Sequence, residues 1–154
     1  MPMSELKAAM SAMTHGVYVL GVHTPEKDNL MTAAWLCQVS GAPPMLLAAV
    51  SSRHLTAELI PKAGGFSVSV LAEDQKIVAM NNGRVSGRVH DKLSDTPVLT
   101  GEGGHPLVQG AAAHLVCRLV DTVVSNDHTL FIGEVVHAKR YSDRTLMYRE
   151  KEFF

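Results

Sequence analysis

Apolar residues recur along the chain in short bursts with a period near two, separated by polar turns that contain glycine or proline. Such alternation predicts strands, because successive side chains of a strand face opposite sides of a sheet. Gly16 to His23 reads as a first strand, and the polar run from Thr24 to Asn29 turns it into a second, Asn29 to Ser40. The pair Pro43-Pro44 ends that strand, since proline donates no ladder hydrogen bond and restricts the residue before it. The unbroken apolar run Met45 to Val50 follows as a buried partner strand. Further strands are expected over Phe66 to Leu71, Ala113 to Val124, Thr129 to Arg140 and Thr145 to Arg149.

Helical spacing is confined to three short stretches. Ser4 to Met13 places Leu6, Met10 and Met13 on one side behind Ser4 as N-cap. Ser52 to Ile60 buries Leu55 and Leu59 and is stopped by Pro61. A third helix carries Glu73 and Asp74 in its first turn and ends near Asn82-Gly83. From Arg84 to Pro106 there is little periodicity, and so long a loop in a compact domain tends to be functional or mobile. About six strands with short helices between them predict a mainly β protein, an antiparallel barrel with α additions. Nothing alternates as βαβ units, and Gly101-Glu102-Gly103-Gly104 lacks the GxGxxG spacing, so a Rossmann domain is disfavoured.

Composition narrows the function. The 154 residues suit a single domain with its own core, and 46% hydrophobic against 19% charged residues excludes a disordered chain. A net charge of -1 and 5% aromatic content argue against nucleic acid as the main partner. The two cysteines, Cys37 and Cys117, form neither a disulfide framework nor a CxxC pair and read as reduced thiols. Eight scattered histidines show no HExxH pairing, so no metal is expected. No apolar run approaches the ~20 residues that span a bilayer, and the expectation is a cytoplasmic protein.

One stretch breaks the strand pattern. Thr32-Ala33-Ala34 sets small side chains where strands favour bulky ones. Either a flat ligand lies against this backbone, or two strands cross tightly in a small barrel. Downstream, Ser51, Ser52, Arg53, His54 and Thr56 gather hydroxyls and positive charge at a helix start, where a phosphate fits and where a plain serine cap fits too. Arg88 and Lys92, in the long loop, either reach phosphates or are solvated charges. Taken together, these features point to a phosphorylated planar cofactor.

Four segments carry a resemblance. Met31-Thr32-Ala33-Ala34-Trp35 with Val39-Ser40 and Pro43-Pro44 resembles the core motif of the flavin reductase-like FMN-binding split-barrel family. Phe66 to Gln75 is similar to its F-x-V-x-V-L-x-x-x-Q segment. Ser86 to Leu93 is similar to the SGRxxDKF loop of flavoredoxin-type members, and Asn126 to Gly133 to the GDHxLFIG segment. Order and spacing are kept from about Gly16 to Val136. Two departures stand out: Asn126 replaces a glycine, and Leu93 a phenylalanine. Asparagine still reaches the left-handed turn that glycine would supply.

The resemblance implies an antiparallel Greek-key split β-barrel with short α-helices that forms a homodimer and binds FMN, or FAD, near the interface. It implies an NAD(P)H:flavin oxidoreductase, with NADH or NADPH as hydride donor and a partner monooxygenase as one destination for the reduced flavin. A flavoredoxin-like electron carrier reduced by a protein donor is the second reading, and a split barrel binding haem or another ligand is the third. Under the first, Thr32, Ala33 and Ala34 meet the isoalloxazine through their backbone. Ser51, Ser52, Arg53, His54 and Thr56 hold the phosphate, with Arg88 and Lys92 within reach of it. Trp35 flanks the ring or fills the core, the latter being favoured for a lone tryptophan. Cys37 stands where relatives place a hydroxyl residue near the flavin. His128 stands where relatives place a histidine at the nicotinamide or flavin edge, either assisting there or capping the turn with Asp127.

Overall fold

The computed structural model describes residues 1–148. Nine strands dominate: β1 Tyr18–His23, β2 Asp28–Ala33, β3 Leu36–Gly41, β4 Pro44–Ser51, β5 Gly65–Val70, β6 Val98–Thr100, β7 Pro106–Val108, β8 Ala113–Ser125 and β9 His128–Arg140. Three helices accompany them, α1 Met3–Met10, α2 Leu55–Ala63 and α3 Lys76–Gly83. Seven strands form one sheet in the order β2-β1-β5-β8-β9-β4-β3, every pairing antiparallel, and β6 pairs with β7. The architecture is mainly β and antiparallel, as the alternation predicts. β6 lies within the stretch read from sequence as an unpatterned loop, and β7 begins at its last residue, Pro106.

β1 is buried on both faces, which explains its nearly continuous apolar run. Leu20 and Val22 join a core with Phe66, Phe131, Ile60 and Val68 beside α2. Val19, with Val17, faces the other way into a cluster with Leu30, Leu71, Ala79 and Val108 under α3. Each fully buried side chain of this kind contributes about 1.5–3 kcal/mol. β4 behaves differently from its apolar sequence. Leu46, Ala48 and Val50 are buried while the residues between them are half-buried.

The segment from Asn29 to Ser40 is not one strand. β2 ends at Ala33, β3 begins at Leu36, and these strands are the two edges of the seven-stranded sheet. Ala34 and Trp35 alone connect them, held by Leu36 N–H donating to Ala34 O (3.2 Å) and Ala49 N–H donating to Trp35 O (2.9 Å). The small side chains therefore mark a corner where the chain leaves one edge for the other.

Helix limits also shift. α1 starts at Met3 after Pro2, not at Ser4, and buries no residue. α2 starts after His54 and runs through Pro61 to Gly64, whose left-handed backbone (φ 71°) ends it. Pro61 costs only its bond to the carbonyl one turn back, and the turn still closes through Gly64 N–H and Ile60 O (3.0 Å). Glu73 and Asp74 precede α3, whose N-cap is Gln75. Of the last expected strand, Thr145 and Met147 make isolated bridges to Ala72 and Gly16, and Arg149 lies outside the described residues.

Candidate functional site

Two adjoining clefts of about 200 and 220 Å3 open at the β2–β3 corner. Met31, Thr32 and His54 line both. The corner cleft adds Ala33, Ala34, Trp35, Ser51 and His128. The other cleft runs between α2 and the end of α3, along Asn29, Thr56, Asn82, Gly87 and Lys92.

The corner cleft has a flat floor and an aromatic rim. Thr32 is tied down by its hydroxyl donating to Ala79 O at 2.7 Å. Beyond it, Ala33 and Ala34 place nothing larger than a methyl group on the surface. Trp35 does not fill the core: it is 52% exposed, and its ring lies 4.7 Å from that of His128 at 32°. The β8–β9 turn brings His128 there, through Asn126 at φ 52°, the left-handed backbone that glycine would otherwise supply. His128 Nδ1 bonds Asp127 Oδ1 at 2.7 Å, and that bond foremost holds the Asp127 carboxyl below its usual range.

The second cleft is polar. Asn29 is 3% exposed and donates from Nδ2 to Thr56 Oγ1 (3.0 Å), which leaves the Thr56 hydroxyl proton free to donate elsewhere. Of the two readings for Lys92, a phosphate ligand or a solvated charge, its burial disfavours the second, and its Nζ donates to Asn82 O at 3.0 Å. Burial pushes this ammonium down from 10.5 to about 8. His54, whose Nδ1 contacts Met31 Sδ at 3.1 Å, is also shifted down, by burial first and then by Lys92, His128, Arg53 and Arg88. It therefore stays neutral at pH 7 within a positive surround. His54 is the N-cap of α2 and no side chain caps the helix, so the serines are not its caps. An uncapped helix start beside an ammonium and a hydroxyl is a donor set that fits an oxyanion.

The remaining predicted residues stand further off. Ser52 Oγ bonds Thr129 Oγ1 (2.9 Å), and its N–H donates to Asp127 O (2.9 Å), pinning the β4 end to the β8–β9 turn. Arg53 is exposed, and its carbonyl accepts from Arg88 Nη2 at 3.2 Å. Arg88 is ion-paired with Glu58 and lines neither cleft. Cys37 is exposed on β3, paired across to Leu47, and also lines neither cleft.

Sequence reasoning passed over Asn29, Asn82 and Gly87 as wall residues. A Cβ on Gly87 would stand 2.0 Å from Asn29 Oδ1, so the loop backbone presses on the cleft where only glycine fits. The SGR motif was the available signal for Gly87. Nothing in local pattern marks a polar residue near a helix end, such as Asn82, as buried.

Comparison with known proteins matches the chain to one family. The family model described as "Flavin reductase like domain" matches residues 10–154. An NADH-dependent flavin reductase from a Rhodococcus species is 31% identical over 133 residues, covering 84% of this chain and 73% of the relative. The high molecular weight rubredoxin of Moorella thermoacetica is 31% identical over 132 residues, covering 84% of this chain. The chain spans 58% of that relative's length, and 65% of an Archaeoglobus fulgidus relative that is 36% identical. Among solved structures, the NADH:FAD oxidoreductase of Streptomyces globisporus superposes with a TM-score of 0.84 at 30% identity, covering 92% of this chain and 84% of its own.

Proposed function

Because the chain belongs to the flavin reductase-like domain family, we propose that it is an NAD(P)H:flavin oxidoreductase. FMN is its preferred flavin, with FAD as the alternative. The observation that carries the reading is the continuity of the two clefts through Met31, Thr32 and His54. A flat, small-sided pocket opens directly into a polar one that holds a buried ammonium, which is the shape and chemistry of a ring joined to a phosphate.

In this reading Thr32, Ala33 and Ala34 offer backbone groups to the pyrimidine edge of the ring, and Trp35 and His128 flank it. His54, Thr56 and Lys92 surround the phosphate, while Ser51, read from sequence as a phosphate residue, lies on the ring side. Ser52 and Arg53 support that wall from behind. Arg88 holds the Ser86–Gly87 backbone against it through Glu58 and the Arg53 carbonyl. Cys37 has no part in it. The bound flavin supplies the two-electron chemistry, accepting a hydride from the nicotinamide. The residues bind, orient and exclude water, and none is needed as acid or base for the transfer itself. The Rhodococcus and Streptomyces relatives, both named for NADH, favour NADH as donor.

The exposed valines of β8 toward the β8–β9 turn (Val120, Val123, Val124) support a homodimer. Two free thiols suit a cytoplasmic setting. Release of reduced flavin to an oxygenase is the physiological use that this reading proposes. The likeness to the Moorella rubredoxin sustains a second reading, a flavoprotein reduced by a protein donor.

The test is the absorbance of purified protein reconstituted with FMN. Visible flavin bands that bleach anaerobically on adding NADH support the oxidoreductase. Bands that bleach with reduced ferredoxin and not with NADH or NADPH favour the electron carrier, and failure to bind FMN overturns the cofactor. Sedimentation in the same buffer tests the dimer.

A further inference from the structure

The wall of the polar cleft contains a buried acceptor with nothing to bond. Asn82 is 1% exposed, and its Nδ2 donates to Val78 O (2.8 Å) and to Thr96 Oγ1 (3.0 Å). Its Oδ1 is buried and, among the described residues, accepts no hydrogen bond. The amide cannot simply be turned over, because Oδ1 would then face the Val78 carbonyl oxygen, which has no proton to give. Buried acceptors are nearly always paired, and leaving one unpaired carries the full penalty of its desolvation. The same residue anchors the cleft's cation: Lys92 Nζ donates to the Asn82 backbone carbonyl at 3.0 Å and keeps two N–H groups to offer.

We propose that Asn82 Oδ1 accepts a hydroxyl of the sugar chain of the bound nucleotide, beside the phosphate that Lys92 holds. Asn82 thereby sets the preference for a sugar-bearing flavin over the bare ring. This rests on the flavin reading given above. The chemistry selects the group. A phosphate at neutral pH is an acceptor, which matches the Lys92 ammonium and cannot serve Oδ1. The ring belongs in the flat cleft, by Ala33, Ala34 and Trp35. The chain leaving the ring must pass the shared residues Met31, Thr32 and His54 into the cleft that Asn82 lines. The donors it carries there are sugar hydroxyls. The ribose of a nicotinamide nucleotide offers the same group, so the two sources must be separated by experiment.

The test compares binding of FMN, riboflavin and lumiflavin, which has the ring without the sugar, by flavin fluorescence with wild-type protein and Asn82→Leu. The expected result is a loss of roughly five- to thirtyfold for FMN and riboflavin, the range of one hydrogen bond, with lumiflavin unchanged. Thr96→Val, which removes the neighbouring Nδ2 acceptor and leaves Oδ1, should keep the wild-type ratio of FMN to lumiflavin affinity. Asn82→Ser serves if the leucine variant does not fold, since its hydroxyl is too short to replace Oδ1. Unchanged flavin binding with a raised KM for NADH, and no change for sugarless N-benzyl-dihydronicotinamide, overturns the flavin preference and assigns the donor to the dinucleotide ribose. Equal losses for all three flavins overturn it in favour of a structural role. No change with any ligand overturns it in favour of a bound water. Wild-type protein that binds none of the flavins overturns the flavin reading itself and this proposal with it.

Discussion

The rings of Trp35 and His128 lie 4.7 Å apart and are tilted by 32°, joining the corner between the sheet's two edge strands to the β8–β9 turn. Neither ring is buried in the core, and together they form a rim over the flat cleft. His128→Ala removes half of that rim without touching the phosphate side. Because hydride transfer between the two cofactors needs no protein acid or base, the loss should fall on how the dinucleotide is held. Steady-state kinetics should show KM for NADH raised about five- to tenfold, with kcat lowered no more than about threefold. A kcat that falls by two orders of magnitude at constant KM would mean that His128 moves a proton in the rate-limiting step.

Gly87 and Asn29 make a second close approach that sets the cleft's shape. A Cβ at position 87 would sit 2.0 Å from Asn29 Oδ1. Asn29 cannot swing aside freely, because it is buried and bonded to Thr56. Lys27 Nζ, donating to Gly87 O at 2.6 Å, holds the loop from the other side. Gly87→Ala should therefore destabilise the protein by about 1–3 kcal/mol and weaken FMN binding together. Urea denaturation and fluorescence titration of the same variant measure both, and wild-type values for each would show that the loop relaxes at no cost.

Much of this was legible in the chain, and the exceptions have definite causes. Period-two alternation located the long strands because β8 and β9 pair along most of their length. The small residues Thr32 to Ala34 correctly marked an anomaly. Reading them as mid-strand failed because local sequence does not reveal that a strand stops pairing on one edge and resumes on the other. Lys92 could be read either as a phosphate ligand or as a solvated charge, because lysine is seldom buried and local pattern does not choose between them. Its burial follows from tertiary packing of the loop against α3, and the Arg84 to Pro106 stretch has no periodicity to announce that packing. Arg88 sits four residues before Lys92 in the same motif, yet it faces Glu58 on α2 instead of the cleft.

His105 adds a pH dependence away from the cleft. It is 6% exposed, and its Nδ1 accepts from His23 N–H at 3.1 Å. Its pKa is held down, first by burial and then by His23, with Asp28 opposing. The folded protein thus resists a proton that the unfolded chain takes up near pH 6.5. Stability is present above that value and is lost as pH falls through it toward the lower folded pKa. His54 adds to the loss in the same direction. His105→Asn supplies a non-titrating acceptor in place of Nδ1, so its urea midpoint should fall less between pH 7.5 and pH 5 than that of wild type. An equal fall in both proteins would place the acid sensitivity elsewhere.

Lys92 links stability and ligand affinity with opposite signs. Burial lowers its pKa from 10.5 to about 8. Between those two values the folded protein has released a proton that the unfolded chain keeps, so stability without ligand should rise with pH across that window. A phosphate dianion beside Nζ favours the charged form, so FMN affinity should fall as pH rises through about 8, while riboflavin, lacking the phosphate, should follow no such trend. Lys92→Met separates the two effects. It removes a buried charge in favour of an apolar chain of similar length, so the ligand-free protein should melt at a higher temperature. It also removes a charge-assisted bond, so FMN should bind about 10- to 100-fold more weakly with riboflavin little changed. A variant that loses stability and weakens both flavins alike would mean that Lys92 braces α3 and holds no phosphate.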